Sequence, residues 1–331
     1  MKKIFTLLFV AISFFSSAQK RTIIFPNGNT SGIQMVKPDA QGKYIYTVDA
    51  LKCVMWEAKT GKQLYSFLYD GVRDVTGMDI SPNGKLIAIV RDGDGDFHIF
   101  NTETAKEIKY DNYKMDKEDP NFSFSIRDVI FTDDDNLFLS VYSGIAIMNI
   151  KTQSLKKFVK TPSSFDNRSK IFLLKDNKLL LASKKEVTIY DGTSAQQIST
   201  SRYEGEDNPI YYYAGHLDKI NLLPRQNLII ASRTLGDADS VRFYEISTGK
   251  LLKKIKVNKS NPLVIPSINT DEFLMSNPTS KDGDNSLVLY NSINLQQQNK
   301  NLKNTNSDSI YYKFGYFDGL KKEVLFSYEN K

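Results

Sequence analysis

Residues 53–62 read CVMWEAKTGK, an apolar strand that ends in a polar turn rich in Thr, Gly and Lys. The same pattern returns five times: FHIFNTETAK at 97–106, IAIMNIKTQS at 145–154, VTIYDGTSAQ at 187–196, VRFYEISTGK at 241–250 and LVLYNSINLQ at 287–296. One large side chain occupies the matching position of each stretch: Trp56, Phe100, Met148, Tyr190, Tyr244 and Tyr290. A repeat of 40 to 55 residues built from short strands is typical of the blades of a β-propeller.

Two more predicted strands and a tight turn precede each repeat. In the second unit, VTGMDI (75–80) turns through Ser81-Pro82-Asn83-Gly84 into KLIAIV (85–90). Proline fixes φ and Asn-Gly tolerates a positive φ, as such a turn requires. A fourth short strand follows each repeat, for example QLYSFLY at 63–69. The unit is therefore four antiparallel strands, and six units are complete.

These segments resemble WD repeats. WEAKTGK (56–62), IYDGTSA (189–195) and YEISTGK (244–250) are similar to the LWDxxTGK segment of that family, and DISPNGKLIAIV (79–90) resembles its FSPDGxxLASG segment. Ala214-Gly215-His216 stands where the family has its Gly-His pair. The chain thus resembles exported bacterial propellers of WD40/YVTN-like type over nearly all of residues 21–331. The hydrogen-bonded tetrad of some WD blades (His, Asp, Ser/Thr, Trp) is incomplete, since the sequence has one Trp and one Gly-His pair.

The chain ends predict a further blade. SIYYKFGYF (309–317) and KKEVLFSY (322–328) flank a turn, and RTIIF (21–25) is one more strand. The resemblance implies that the N-terminal strand completes the last blade. The expected fold is therefore all-β: a seven-bladed β-propeller of four-stranded antiparallel blades, with the last blade closed by the N-terminal strand and lacking one strand. The missing strand predicts either an incomplete blade or a protein that continues beyond residue 331.

Residues 1–18 have the features of a signal peptide. Lys2 and Lys3 precede the apolar stretch 4–15, which is too short to span a bilayer, and Ser16-Ser17-Ala18 supplies small residues for cleavage near Ala18. We expect an exported protein, periplasmic or extracellular, with a propeller domain over 19–331 and no membrane anchor in the mature chain. An uncleaved anchor is the alternative.

Composition narrows the function. The formal net charge is +6, but Lys and Arg are scattered, so no nucleic-acid partner is predicted. Cys53 lies in an apolar strand and is expected to be a core residue. The two histidines and the absence of a phosphate loop or a Gly-x-Ser-x-Gly motif indicate no catalytic residue and no cofactor.

Long connections fall on one predicted face of the ring. They join the fourth strand of a unit to the next first strand, or the second strand to the third: 110–125, 161–169, 199–216, 297–308, 91–96, 232–240 and 276–286. Loops on a rigid scaffold commonly carry binding function. The predicted partner-binding residues are the aromatic side chains of two connections: Tyr113, Phe122, Phe124, Tyr203, Tyr211, Tyr212 and Tyr213. The alternative for Tyr211 to Tyr213 is packing against a blade edge.

Acidic residues alternate in the connections between second and third strands: Asp92/Asp94/Asp96, Asp237/Asp239 and Asp282/Asp284. Hard cations favour such carboxylates, yet Asp-Gly is also what a tight hairpin requires. Hairpin geometry is favoured, no metal site is predicted, and calcium remains the alternative.

The sequence as a whole predicts a non-catalytic exported β-propeller scaffold, monomeric, that binds a protein or peptide partner through its loop-rich face. One alternative is a propeller hydrolase or lactonase with a metal in the central channel. Another is the docking domain of a longer multidomain protein, such as a caspase-like peptidase.

Overall fold

The computed structural model describes residues 32–92, 97–109, 126–141, 144–160, 170–182, 186–204, 220–223, 227–233, 240–257, 262–267, 270–276, 287–302, 310–318 and 323–330. Within these ranges the regular structure is β, apart from one short 3-10 turn at Lys175–Asn177. None of the helical structure described there is long and apolar enough to cross a membrane.

Six antiparallel sheets of four strands follow one another along the chain, and in each the strand order is the sequence order. Blade 1 contains β1 (Met35–Pro38), β2 (Tyr44–Val48), β3 (Lys52–Glu57) and β4 (Gln63–Leu68). Blade 2 contains β5 (Val75–Ile80), β6 (Leu86–Arg91), β7 (Phe97–Asn101) and β8 (Glu107–Ile108). Blade 3 contains β9 (Ile126–Phe131), β10 (Asn136–Val141), β11 (Gly144–Asn149) and β12 (Ser154–Lys160).

The second half of the ring repeats this plan. Blade 4 contains β13 (Lys170–Leu173), β14 (Lys178–Ala182), β15 (Glu186–Asp191) and β16 (Gln197–Arg202). Blade 5 contains β17 (Ile220–Leu223), β18 (Leu228–Arg233), β19 (Ser240–Glu245) and β20 (Leu251–Lys256). Blade 6 contains β21 (Val264–Pro266), β22 (Glu272–Ser276), β23 (Leu287–Asn291) and β24 (Gln297–Leu302).

The prediction of seven four-stranded blades is wrong. The described residues form six such blades, and the remaining strands, β25 (Ile310–Asp318) and β26 (Glu323–Asn330), pair only with each other in a two-stranded sheet. Strand β25 contacts β1 and β21, so this hairpin lies between the first strands of blades 1 and 6. RTIIF (21–25), which was predicted to complete the last blade, lies outside the described residues.

The first strand of each blade is the inner one. Strands β1, β5, β9 and β13 contact one another in succession, as do β17 and β21, which is how strands around a common axis are arranged. The fourth strands form the outer edge, where β12 and β20 carry exposed lysines such as Lys156 and Lys254. Lysines on an edge strand discourage pairing with other chains.

Apolar packing between neighbouring blades forms the core. The six large residues of the repeat lie on the third strands and are all buried. Phe100 of blade 2 joins the cluster built by Tyr46 and Phe67 of blade 1, with the Phe67 and Phe100 ring centroids 5.4 Å apart. Corresponding clusters join blades 2 and 3, 3 and 4, 4 and 5, and 5 and 6. In blades 2 to 6 the large residue of the repeat therefore packs against the preceding blade, whereas Trp56 packs within blade 1.

The turns between third and fourth strands share one geometry although their sequences differ. The fifth residue after each large side chain has a positive φ: Gly61, Ala105, Gln153, Ala195, Gly249 and Leu295. The residue directly after the large side chain accepts hydrogen bonds within the turn; Asp191 Oδ1 accepts from the backbone N–H of Ser194 at 2.7 Å. Asn101, Asn149 and Asn291 do the same in their blades. The face of the ring that carries the turns between third and fourth strands therefore has short connections of one type, and we call it the trimmed face.

Candidate functional site

The opposite face carries the longer connections. Because the strands alternate in direction, links from the second to the third strand and from the fourth strand to the next blade leave from the same edge. Most of these links lie outside the described residues. The link between β4 and β5, residues 69–74, is described completely and shows how this face is built.

The side chain of Arg91 binds the backbone of the link between β4 and β5. Its buried guanidinium donates hydrogen bonds to the carbonyl oxygens of Asp70 and Gly71, the latter at 2.8 Å, and lies 4.4 Å from the centroid of the Tyr69 ring. A fork of N–H donors on backbone carbonyls fixes a loop in a way that a single contact does not. The Tyr69 hydroxyl donates in turn to the carbonyl oxygen of Asp49, 2.5 Å away. The first three residues of the link, Tyr69 to Gly71, are therefore fastened to blades 1 and 2.

The link presents one apolar side chain to solvent. Val72 is 73% exposed and stands beside the exposed Arg73. Ile293 is 69% exposed on the trimmed face, in the turn between β23 and β24. Val72 and Ile293 are therefore apolar residues of similar exposure on opposite faces, so that substitutions at the two positions can be compared.

Of the predicted partner-binding residues, the structure describes Tyr203 alone. Its side chain is 6% exposed and packs on Tyr244 with the ring centroids 4.8 Å apart, in the cluster between blades 4 and 5. Such a residue supports the blade interface from inside. Tyr113, Phe122, Phe124, Tyr211, Tyr212 and Tyr213 lie outside the described residues.

Asp92 is the described member of the acidic turns. Its carboxylate accepts a hydrogen bond from Arg127 Nη1 at 3.1 Å, which links blade 2 to blade 3. Asp94, Asp96, Asp237, Asp239, Asp282 and Asp284 lie outside the described residues. Among the described side chains, no group of three or more His, Cys, Asp or Glu is placed to hold a metal ion.

A second polar region lies on the inner strands, and we call it the inner cluster: Lys37, Asp79, Asp128 and Lys170, one residue from each of blades 1 to 4. Lys37 Nζ forms an ion pair with Asp79 Oδ1. The other carboxylate oxygen of Asp79 accepts from the backbone N–H of Phe131 at 2.6 Å. One carboxylate thus joins blades 1, 2 and 3.

Asp128 repeats this arrangement one blade further on. Its Oδ2 accepts from the backbone N–H of Ile171 in blade 4 at 2.9 Å, and its Oδ1 accepts from the N–H of Val129 at 3.0 Å. Gly77 allows the close approach of blade 2, since a Cβ there would lie 2.6 Å from Asp128 Oδ1. Burial raises the pKa of Asp128, although Lys170, these two hydrogen bonds and Lys37 act to lower it.

The described contacts of Lys170 are longer than those of the carboxylates, and both lysine side chains of the inner cluster are more exposed. Lys170 Nζ lies 4.0 Å from Asp128 Oδ2, and its hydrogen bond to the Thr76 carbonyl oxygen is long, at 3.4 Å. Both carboxylate side chains are 7% exposed, against 39% for Lys37 and 16% for Lys170. The carboxylates of the cluster are therefore directed toward the backbone of the next blade, whereas its ammonium-bearing side chains are more exposed.

The sequence analysis did not predict the inner cluster, although the spacing of its residues along the chain could have indicated it. Lys37 and Asp79 are 42 residues apart, and Asp128 and Ile171 are 43 apart, which is the repeat length. Residues one period apart occupy equivalent places in neighbouring blades. Polar residues recurring at that spacing on predicted first strands would have pointed to contacts between blades.

Cys53, His98 and Trp56 are each packed among or bonded to other side chains of the blades. Cys53 is fully buried and burial raises the pKa of its thiol, as expected for a core residue. His98 Nδ1 lies 2.7 Å from Glu107 Oε1, and its ring stacks on Tyr69 and Phe100. In blade 1, Trp56 Nε1 donates a buried hydrogen bond to Thr47 Oγ1 at 2.7 Å, from β3 to the adjacent strand β2.

The fold places the chain among the β-propellers. No protein-family model matches the sequence, and no curated protein matches it significantly.

Proposed function

We propose that this protein is a non-catalytic scaffold that binds a protein or peptide partner through its loop-rich face. The observation that carries the proposal is the contrast between the two faces. Arg91 holds the backbone of Asp70 and Gly71 while Val72 projects into solvent, whereas the described turns between third and fourth strands repeat one compact geometry on the opposite face. Pre-organised loops with an exposed apolar contact bind at a low entropic cost.

The described carboxylates near the axis favour the same conclusion. Asp79 and Asp128 both accept hydrogen bonds from the backbone of the following blade. A carboxylate committed in this way stabilises the ring, and moving it to act as a general acid or base would break a contact between blades.

A pair of matched variants tests the proposal. The protein is immobilised and exposed to lysate and medium of its own organism, and captured proteins are compared for wild type, Val72→Asp and Ile293→Asp. A charged side chain at the interface should abolish capture of the specific partner, so we expect loss with Val72→Asp and retention with Ile293→Asp. Partner recovery that is equal for both folded variants would contradict the proposal.

A second set of variants addresses the aromatic residues. Replacing Tyr211, Tyr212 and Tyr213 together by Ala should weaken the same partner, while melting temperature stays near that of wild type. Unchanged recovery with the folded triple variant would remove these residues from the interface.

We also propose that the chain is exported after cleavage near Ala18 and acts as a monomer. Residues 2–18 support export by their charge, short apolar run and small residues. Cell fractionation with N-terminal sequencing tests this, and a cytoplasmic protein that retains Met1 would contradict it. Light scattering during gel filtration tests the monomer, for which a mass near that of one mature chain is expected.

A further inference from the structure

We propose that the outer strand of blade 5, β20, binds an extended acidic segment of another protein, which adds to the blade as a fifth strand. This site lies on the outer edge of the ring, whereas the proposed binding face is represented by Val72, in the link between β4 and β5 of blade 1. The two proposals can therefore fail separately.

Strand β20 lies at the end of its sheet, and one side of it is open to solvent. Among the described strands of blade 5 the order is β17, β18, β19, β20, so β20 pairs with β19 and forms the outer edge. Its residues alternate between partly buried and exposed, and the exposed ones are Leu252, Lys254 and Lys256. An edge strand presents backbone N–H and C=O groups in the plane of the sheet, to which an extended chain can pair.

The exposed side of β20 is positively charged. Lys254 and Lys256 lie on the same side, because alternate residues of a strand point the same way. The register places Lys254 directly opposite Arg242 of β19, so cations stand on both strands. Residues 251–256 read LLKKIK and contain no acidic residue. This edge therefore suits a negatively charged strand, while its charge opposes pairing with a second copy of β20.

The other ends and sides of the strand are used for contacts between blades. Lys253, on the opposite side from Lys254, donates a hydrogen bond from Nζ to the carbonyl oxygen of Leu295 in blade 6. Where the strand begins, Glu204 Oε2 accepts from the backbone N–H of Leu251 at 3.0 Å. Lys253 and Glu204 thus join β20 to its neighbours, whereas Lys254 and Lys256 extend into solvent.

The spacing of the two exposed lysines defines the partner. Residues two apart on a strand are separated by roughly 6.8 Å, and an added antiparallel strand presents its alternate side chains at the same interval. Acidic residues at every second position would therefore come opposite Lys254 and Lys256, and cross-strand pairs of opposite charge stabilise a sheet. Leu252, 48% exposed, adds apolar contact area beside them. The partner segment thus alternates Asp or Glu with other residues.

Strand β12 of blade 3 has a similar charge in a different arrangement. Its exposed lysines include two consecutive residues, Lys156 and Lys157, whose side chains point to opposite sides of the sheet. Neutralising both changes the net charge as much as neutralising Lys254 and Lys256, but it does not remove two cations from one side. Lys156 and Lys157 are therefore the matched control.

The probe is a fluorescently labelled synthetic peptide, Thr-Glu-Val-Glu-Val-Glu-Thr, whose binding to the full chain is measured by fluorescence anisotropy at constant ionic strength. We expect saturable binding to the wild type. The double variant Lys254→Gln/Lys256→Gln should bind about fivefold or more weakly, as loss of two cross-strand ion pairs does. Lys156→Gln/Lys157→Gln should bind within about twofold of wild type, because distant exposed charges are screened.

A second peptide distinguishes strand addition from general charge attraction. The same sequence N-methylated on all its central residues keeps the charge but lacks the backbone N–H donors that pairing requires, so it should show no saturable binding. Equal binding of the two peptides would overturn the proposal, as would equal weakening by the two double variants. Absence of saturable binding of the unmodified peptide in the millimolar range would also overturn it. Circular dichroism confirms that both variants are folded, as expected for substitutions at exposed positions.

Discussion

Asp128 of blade 3 accepts a hydrogen bond from the backbone N–H of Ile171 in blade 4, with 2.9 Å between Oδ2 and the nitrogen. The carboxyl is buried at the junction of two blades, and burial raises its pKa above the ordinary value of 3.8. The folded protein therefore holds the proton of Asp128 at a pH at which the unfolded chain has released it.

This difference predicts the sign of a pH effect. As pH rises from 3.8 through the raised pKa of folded Asp128, the free energy of unfolding of wild type should fall relative to that of Asp128→Asn. The slope should approach about 1.4 kcal/mol per pH unit at most. Urea unfolding of both proteins across this range measures it. A difference that rises with pH would contradict the assignment.

Asp191 provides a control of opposite sign. Hydrogen bonds from the backbone and side chain of Ser194 and from the backbone of Thr193 lower its pKa in the folded state. Its stabilising contribution should be present above pH 3.8 and lost as pH falls through the lowered pKa. Asp191→Asn should remove that dependence and keep the turn, because Asn occupies the same position in Asn101, Asn149 and Asn291.

Gly249 and Gly42 form a matched pair for the turn geometry. Both have a positive φ, but a Cβ at Gly249 would lie 2.0 Å from the carbonyl oxygen of Arg202, while a Cβ at Gly42 would meet nothing within 4 Å. Gly249→Ala should therefore lower the free energy of unfolding by about 3 kcal/mol or more, and Gly42→Ala by about 1 kcal/mol. Chemical denaturation measures both. Equal costs would show that the contact between blades 4 and 5 is not tight.

The hydrogen bond from Trp56 to Thr47 should contribute to the stability of blade 1. Trp56→Phe, Thr47→Val and the double variant form a double-mutant cycle. We expect a coupling free energy of about 1 kcal/mol, because the bond is buried and its partners lie on adjacent strands. A coupling indistinguishable from zero would show that this bond adds nothing to stability.

Arg91 should control the rigidity of residues 69–74. Arg91→Met removes the donors to Asp70 and Gly71 and should cost about 2 kcal/mol or more. It should also speed tryptic cleavage after the exposed Arg73, measured by mass spectrometry under native conditions. Arg91→Lys keeps the charge without the fork of donors and should lie between wild type and Arg91→Met. Identical cleavage rates in all three proteins would contradict the role given to Arg91.

Much of the fold could be predicted from the repeat. The strand predicted at 75–80 coincides with β5, and the predicted large residues are buried on the third strands. The local sequence specifies these features, because the alternation of apolar and polar residues defines a strand and the turn residues join strands of the same blade. The blade count failed after blade 6, where β25 and β26 form a two-stranded sheet, because local pattern does not specify which distant segments pair.

The candidate sites could be predicted less well, for a related reason. Tyr203 was predicted to bind a partner from its place in a long connection; it follows directly on β16 and packs on Tyr244 of the next blade, a contact that local sequence does not specify. The inner cluster depends on which first-strand residues face each other across blades. That information becomes visible only when the repeat is used to align residues about one period apart, such as Lys37 and Asp79.

Site-specific photo-crosslinking tests the proposed binding face most directly. A photo-crosslinking amino acid is placed at Val72 in one variant and at Ile293 in another, both exposed positions on opposite faces. The two proteins are irradiated in living cells of the source organism, and the adducts are identified by mass spectrometry. The scaffold function predicts one defined protein adduct from position 72 and none of that mass from position 293. The same adduct from both positions, or from position 293 alone, would contradict binding through the loop-rich face.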